Sequence, residues 1–145
     1  MAQSFRLKNV GLVNKDKKIY FKFNGKNYYG YEGDTLASAL IANGVHLIGR
    51  SFKYHRPRGF FGAGVDEPYA VVQLYRNGET EPNIKATEQE LFEGLEAKSV
   101  NCWPSVNFDF GAINNFLNIF FPAGFYYKTF MWPKSFWHRI YEPFI

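Results

Sequence analysis

Cysteine is nearly missing from this chain of 145 residues, where Cys102 stands alone. One thiol forms no internal disulfide and builds no thiolate cage around a metal, so Cys102 reads as a packing residue in a reducing compartment. A long apolar run is missing too. The start, Met1 to Lys8, has no hydrophobic segment of the kind a secretory signal needs, and Lys15, Asp16, Lys17 and Lys18 soon follow. The most apolar stretch, Phe116 to Trp132, is interrupted by Asn118, Pro122, Gly124 and Lys128 before it reaches the roughly 20 residues that span a bilayer. These absences predict a cytoplasmic protein with no membrane contact.

Signatures of catalysis and metal binding are equally sparse. His46, His55 and His138 are far apart and have no carboxylate or cysteine at metal spacing. No serine sits in a G-x-S-x-G elbow. Gly62-Ala63-Gly64 matches neither the dinucleotide fingerprint nor a P-loop, and reads as a tight turn. Asp66-Glu67 and Glu88 to Glu96 carry carboxylates, and a charged helix face explains the second group better than acid–base catalysis does. The chain by itself shows no catalytic constellation.

What is present suits a globular protein: 46% hydrophobic and 21% charged residues, enough for one ordinary domain plus an extension. The aromatic share of 20% is high, and more than half of the Phe, Tyr and Trp lie from Trp103 onward. That surplus predicts contact with a partner. The net charge of +4 permits an anionic ligand without requiring one.

Three segments follow from the pattern: an N-terminal arm over 1–18, a folded domain over 19–100, and an aromatic docking extension over 101–145. Ile19, Phe21 and Phe23 alternate with polar neighbours, Asn24-Gly25 supplies a type I′ turn, and Lys26 to Tyr31 returns as a second strand. Asp34 or Thr35 caps a helix with Leu36, Ala37, Leu40 and Ile41 on one face, and Gly44 ends it. A long loop, Gly49 to Pro68, leads to a strand over Tyr69 to Tyr75, and Arg76-Asn77-Gly78 turns the chain. Thr87 and Glu90 form a capping-box pattern that predicts a second helix burying Leu91, Phe92 and Leu95. Beyond Asn101, four X-Pro steps limit helices to short ones over Ala112 to Phe120 and Ser135 to Ile140. The order of elements is that of an α+β, β-grasp fold. The last residues, Glu142-Pro143-Phe144-Ile145, lack a polar tail and suggest a longer polypeptide.

The densest site-like feature is the run Gly49 to Gly59. Arg50, Lys53, His55, Arg56 and Arg58 are interleaved there with Phe52 and Tyr54. Guanidinium groups pair with phosphate or carboxylate and aromatic rings offer stacking faces, so these five residues are candidate phosphate or interface contacts. An independent polyanion- or nucleic-acid-binding module working through Arg50 to Arg58 is the alternative reading, although no recognised nucleic-acid motif accompanies the run.

Several segments together resemble one family. Asp34 to Leu40, Gly49 to Gly59, Leu95-Glu96-Ala97, Trp103-Pro104-Ser105 and the long motif Phe121 to Pro133 are similar to the start of heterotetrameric sarcosine oxidase alpha subunits, from about residue 19 to the end. The resemblance implies a ferredoxin-like domain of the [2Fe–2S] type. Cysteines of related domains follow a C-x4-C-x2-C spacing with a fourth farther on. Laid over this loop, those positions fall on Phe61, Asp66 and Tyr69, and near Thr87, none of them cysteine. The resemblance therefore implies a scaffold with no [2Fe–2S] cluster. It further implies a complex with FAD, FMN, NAD and tetrahydrofolate that demethylates sarcosine oxidatively, those groups being held elsewhere. The remaining alpha-subunit domains and the other subunits would then be this chain's partners.

Overall fold

The computed structural model describes residues 3–8, 10–76 and 78–118. Strands β1 (Asn14–Phe23) and β2 (Lys26–Glu32) form an antiparallel hairpin. Its turn places Asn24 and Gly25 at φ of 50° and 76°, the left-handed pair a type I′ turn requires. Ile19, Phe21 and Phe23 are buried and Tyr20 is exposed, as the alternation predicts. β1 reaches back to Asn14, inside the segment read as an arm, with a register shift between Asn14 and Lys18.

Helix α1 (Leu36–Ala42) starts at Thr35, whose side chain and Ser38 form a reciprocal capping box. The adjacent Asp34 has a different task. Its buried carboxylate takes a two-pronged contact from Arg6, at 3.2 and 2.6 Å, and so ties the N-terminal arm to the helix start. At the other end, Val45 N–H donates to Leu40 O and Gly44 N–H to Ile41 O, the paired bonds of a Schellman stop. Leu36, Ala37, Ala39, Leu40 and Ala42 are buried, whereas Ile41, expected on that face, is exposed. The helix instead approaches the sheet through its small residues. A Cβ on Gly30 of β2 would lie 2.4 Å from Leu91 and 3.0 Å from Ala39, so glycine and alanine let helix and strand approach.

The predicted long loop contains a small antiparallel ribbon, β3 (Gly49–Arg50) with β4 (Pro57–Arg58). Three further strands complete the main sheet: β5 (Val71–Arg76), β6 (Glu79–Lys85) and β7 (Glu96–Ser99). The order is β2-β1-β7-β5-β6, with β1 and β7 parallel and the other neighbours antiparallel. One core lies between this sheet and α1, joined by Ile48, Val72, Leu74, Leu91 and Leu95. The fold is the α+β, ferredoxin-like β-grasp.

The helix predicted from Thr87 does not form. Glu88 and Gln89 N–H both turn back to Lys85 O, Leu36 N–H reaches Gln89 O, and Leu91 N–H reaches Asp34 O. These tertiary bonds to the start of α1 replace an intrahelical ladder, and Gly94 at φ 77° ends any helical path. Leu91 and Leu95 are buried as predicted, because their side chains still face the core, but Phe92 is exposed. In the extension, a 3-10 turn (Phe110–Ala112) runs into the short α2 (Ile113–Phe116). The predicted helix over Ser135 to Ile140 and the motif Phe121 to Pro133 lie outside the described residues.

Candidate functional site

The basic run is folded into a compact loop by its own backbone. Ser51 N–H donates to Arg56 O and His55 N–H to Ser51 O, both at 2.9 Å, while the Ser51 hydroxyl accepts from Arg56 N–H at 3.0 Å. This winding puts His55 at φ 51°. A non-glycine residue holds such a conformation only when its surroundings fix it, and here they do. Arg50 Nη1 donates to His55 O at 2.8 Å, and His55 Nδ1 sits 2.7 Å from Asp109 Oδ2.

Asp109 is the hub. Its side chain is buried, Arg50 Nε lies 3.5 Å from Oδ2, and Oδ1 accepts from Trp103 N–H at 3.0 Å and Gly111 N–H at 3.1 Å. Burial pushes this carboxyl up, and the Trp103 amide, the His55 hydrogen bond and the Gly111 amide outweigh it, so the group is held below the usual carboxylate range. Arg50 Nε also donates to Val106 O at 2.9 Å. Arg50, His55 and Asp109 thus clasp the segment 103–111 onto the basic loop. The neighbouring Cys102 thiol is pushed up by burial and by the Asp109 charge, with Arg50 pulling the other way. It is a poor nucleophile.

The other cations of the run lie along aromatic rings, Arg56 exposed and Lys53 and Arg58 half-buried. Lys53 and Arg56 lie over Tyr54 at 4.9 and 4.8 Å, and Arg58 lies over Tyr69 at 4.4 Å. Arg56 Nε also donates to Asn115 of α2 at 3.0 Å. Arg50 and His55 are therefore drawn to an internal acid, while Lys53, Arg56 and Arg58 rest on Tyr54 and Tyr69. Asp109 has no signature in the sequence, since its donors come from three separated segments.

Farther along, the structure gathers Phe61, Asp66, Tyr69 and Thr87 around one loop. The Phe61 and Tyr69 rings meet edge to face at 5.9 Å. Asp66 ends the 3-10 turn Gly64–Asp66. The Thr87 hydroxyl donates to Gly64 O at 2.8 Å rather than capping a helix. At the centre is Glu67, a carboxylate to which the sequence assigns no role. Its carboxylate is fully buried and accepts four backbone N–H groups: Phe61 at 2.7 Å and Gly62 at 2.6 Å on Oε2, Tyr69 at 2.7 Å and Ala70 at 3.1 Å on Oε1. Burial raises its pKa, and the four amides more than offset that, leaving the carboxyl below its usual range.

Comparison with known families decides the affiliation. The family model described as a 2Fe-2S iron-sulfur cluster binding domain matches residues 16–102, more than half of the chain. The chain belongs to this family. Within this 2Fe-2S family its sequence is similar to the protein named sarcosine oxidase subunit alpha of Rhizobium meliloti (strain 1021), with 58% identity over 142 residues and 98% of this chain. It is also similar to the protein of that name from Corynebacterium sp. (strain U-96), with 35% identity over 59% of this chain. It spans 14% of the first relative's length and 9% of the second's. Among solved structures, L-proline dehydrogenase from P. horikoshii superimposes with a TM-score of 0.51 at 23% identity, over 71% of this chain and 19% of that one, a likeness of fold.

The donor set of this 2Fe-2S family member does not fit the cluster. A [2Fe–2S] centre takes thiolate or, less often, imidazole ligands. Phe61, Asp66, Tyr69 and Thr87 offer a phenyl ring, a carboxylate, a phenol and a hydroxyl. The one cysteine lies instead beside Asp109 and Arg50. Among the described residues no group of three or more His, Cys, Asp and Glu could hold a metal ion. Among them, too, no helix is long and apolar enough to cross a membrane.

Proposed function

We infer that this chain is a non-catalytic structural and docking module of a sarcosine oxidase alpha subunit. Its complex demethylates sarcosine oxidatively to glycine and passes the one-carbon unit to tetrahydrofolate, with FAD, FMN and NAD held by other domains and subunits. The observation that carries this reading is an aromatic ridge on the extension. Trp103, Phe108, Phe110 and Phe116 are 69%, 62%, 56% and 82% exposed. Phe110 packs on Trp103 at 5.3 Å and on Phe108 at 5.1 Å, so three of these rings form one patch. A clustered aromatic patch facing water is the composition of an interface centre. The relative's much greater length supports cover by the rest of the same polypeptide.

The basic loop supports the same reading better than it supports a polyanion site. Two of its five candidate cations, Arg50 and His55, are turned onto Asp109 to hold the ridge-bearing segment in place. Of the other three, Arg56 reaches the extension through Asn115, and Lys53, Arg56 and Arg58 are the proposed interface contacts. Co-expression with the remaining alpha-subunit domains and the other subunits tests the proposal, and the chain is expected to co-purify in a fixed ratio. A chain that stays monomeric, folded and alone contradicts it. Steeply salt-dependent binding to a single-stranded oligonucleotide would favour the polyanion reading instead.

A further inference from the structure

Four amide groups converging on one carboxylate is an anion site with its anion already installed. The donors come from both arms of the loop, Phe61 and Gly62 before the 3-10 turn, Tyr69 and Ala70 after it. Concave sets of backbone N–H groups hold phosphates and iron–sulfur clusters in other proteins, because the amide dipoles stabilise whatever negative charge sits among them. Two of the four donors here, Phe61 and Tyr69, stand at positions where the family spacing puts thiolates. An inorganic cluster attached at 61, 66 and 69 would draw on the same amides for hydrogen bonds to its sulfur atoms. Both cannot occupy them.

We propose that Glu67 is a resident anion that has taken the structural place of the cluster, keeping the 61–70 loop in a cluster-bearing shape while closing it to metal. The carboxylate meets all four donors with its two oxygens, and no buried side-chain polar atom among the described residues lacks a partner. It also explains how the loop stays ordered beneath two exposed groups, the Phe61 ring and Val65. Thr87 on Gly64 O and Lys85 on Val65 O pin the loop crest from β6 and the turn after it. The site thus rests on backbone geometry, not on the side chains at the four ligand positions. Replacing those side chains by cysteine therefore leaves the obstacle in place.

The test uses the 145-residue chain in two arms. In the first, Glu67→Ala is expected to lower Tm by on the order of 10 °C. Sodium formate should restore part of that loss in a saturable way, and sodium chloride at equal ionic strength should not. Glu67→Gln is expected to fall nearly as far, since its NH2 group faces two N–H donors. Formate acting no better than chloride, or a Gln variant with the parent's Tm, overturns the anion site. If Glu67→Ala does not fold, the Gln variant alone decides this arm. In the second, Phe61→Cys, Asp66→Cys, Tyr69→Cys and Thr87→Cys are combined, with Glu67 kept or changed to Gly. Both chains, verified as folded by far-ultraviolet dichroism, are reconstituted anaerobically with iron and sulfide. Cluster absorbance only in the chain without Glu67 supports the replacement. Uptake by both chains, or by neither, overturns it.

Discussion

Removing the Asp109 carboxylate should release the segment 103–111 while leaving the sheet intact. In Asp109→Ala, Trp103 N–H, Gly111 N–H and His55 Nδ1 lose their partner, and the buried Arg50 guanidinium loses its counter-charge. Stripping one partner from a buried ion pair costs about 3–5 kcal/mol. Release of the segment to water limits the loss, because the freed amides then find solvent. We therefore expect about 3 kcal/mol of local stability to disappear, equal to roughly a 100-fold faster opening. Amide hydrogen exchange read residue by residue measures this directly. Trp103, Phe110 and Gly111 should exchange roughly 100-fold faster, with Phe21 and Leu74 in the sheet unchanged. Asp109→Asn, which keeps an oxygen for the two amides but loses the charge, should fall between the variant and the parent. Unchanged protection at Trp103 and Gly111 in Asp109→Ala would refute the clasp.

Further outcomes follow from other parts of the fold. Glu67 and Asp109 both have pKa values lowered by folding. The unfolded chain thus binds protons first, and stability from these groups is full above the ordinary carboxylate range, near pH 4 to 5, and is lost as pH falls through their lower folded values. Acid unfolding monitored by dichroism should show this limb, flattened in Glu67→Gln. Gly30→Ala places a methyl 2.4 Å from Leu91 and should destabilise the chain by about 1–3 kcal/mol in urea unfolding. Trp103→Ser combined with Phe110→Ser should leave Tm nearly unchanged, since both rings are exposed, yet weaken co-purification with the partner domains.

The parts of the fold that were legible in the sequence are those written in local signals. The β1–β2 hairpin has its period of two and its Asn24-Gly25 turn, and α1 has its Thr35 cap and its Gly44 stop, all within a few residues of one another. β6 and β7 carry no such mark. β6 runs Glu-Thr-Glu-Pro-Asn-Ile-Lys at the sheet edge, where Pro82 is tolerated, and the four-residue β7 is a strand only because β1 and β5 flank it. The false helix at Thr87 rests on a capping-box pattern, Thr87 with Glu90, ahead of apolar residues that are indeed buried at Leu91 and Leu95. The backbone there bonds to the start of α1 instead. At the candidate site, composition located the cations of the basic loop but not the acid that two of them face. Asp109 and Glu67 derive their importance from backbone amides delivered by the fold, and backbone amides leave no trace in the identity of the residues that supply them.

Iron and acid-labile sulfide analysis of the chain after anaerobic reconstitution tests the central claim most directly. A β-grasp loop closed on its own Glu67 carboxylate, without thiolates at 61, 66, 69 and 87, predicts neither element above background in a protein whose dichroism is that of the folded sheet. Stoichiometric iron and sulfide, with visible absorbance that partly bleaches on reduction, would contradict it.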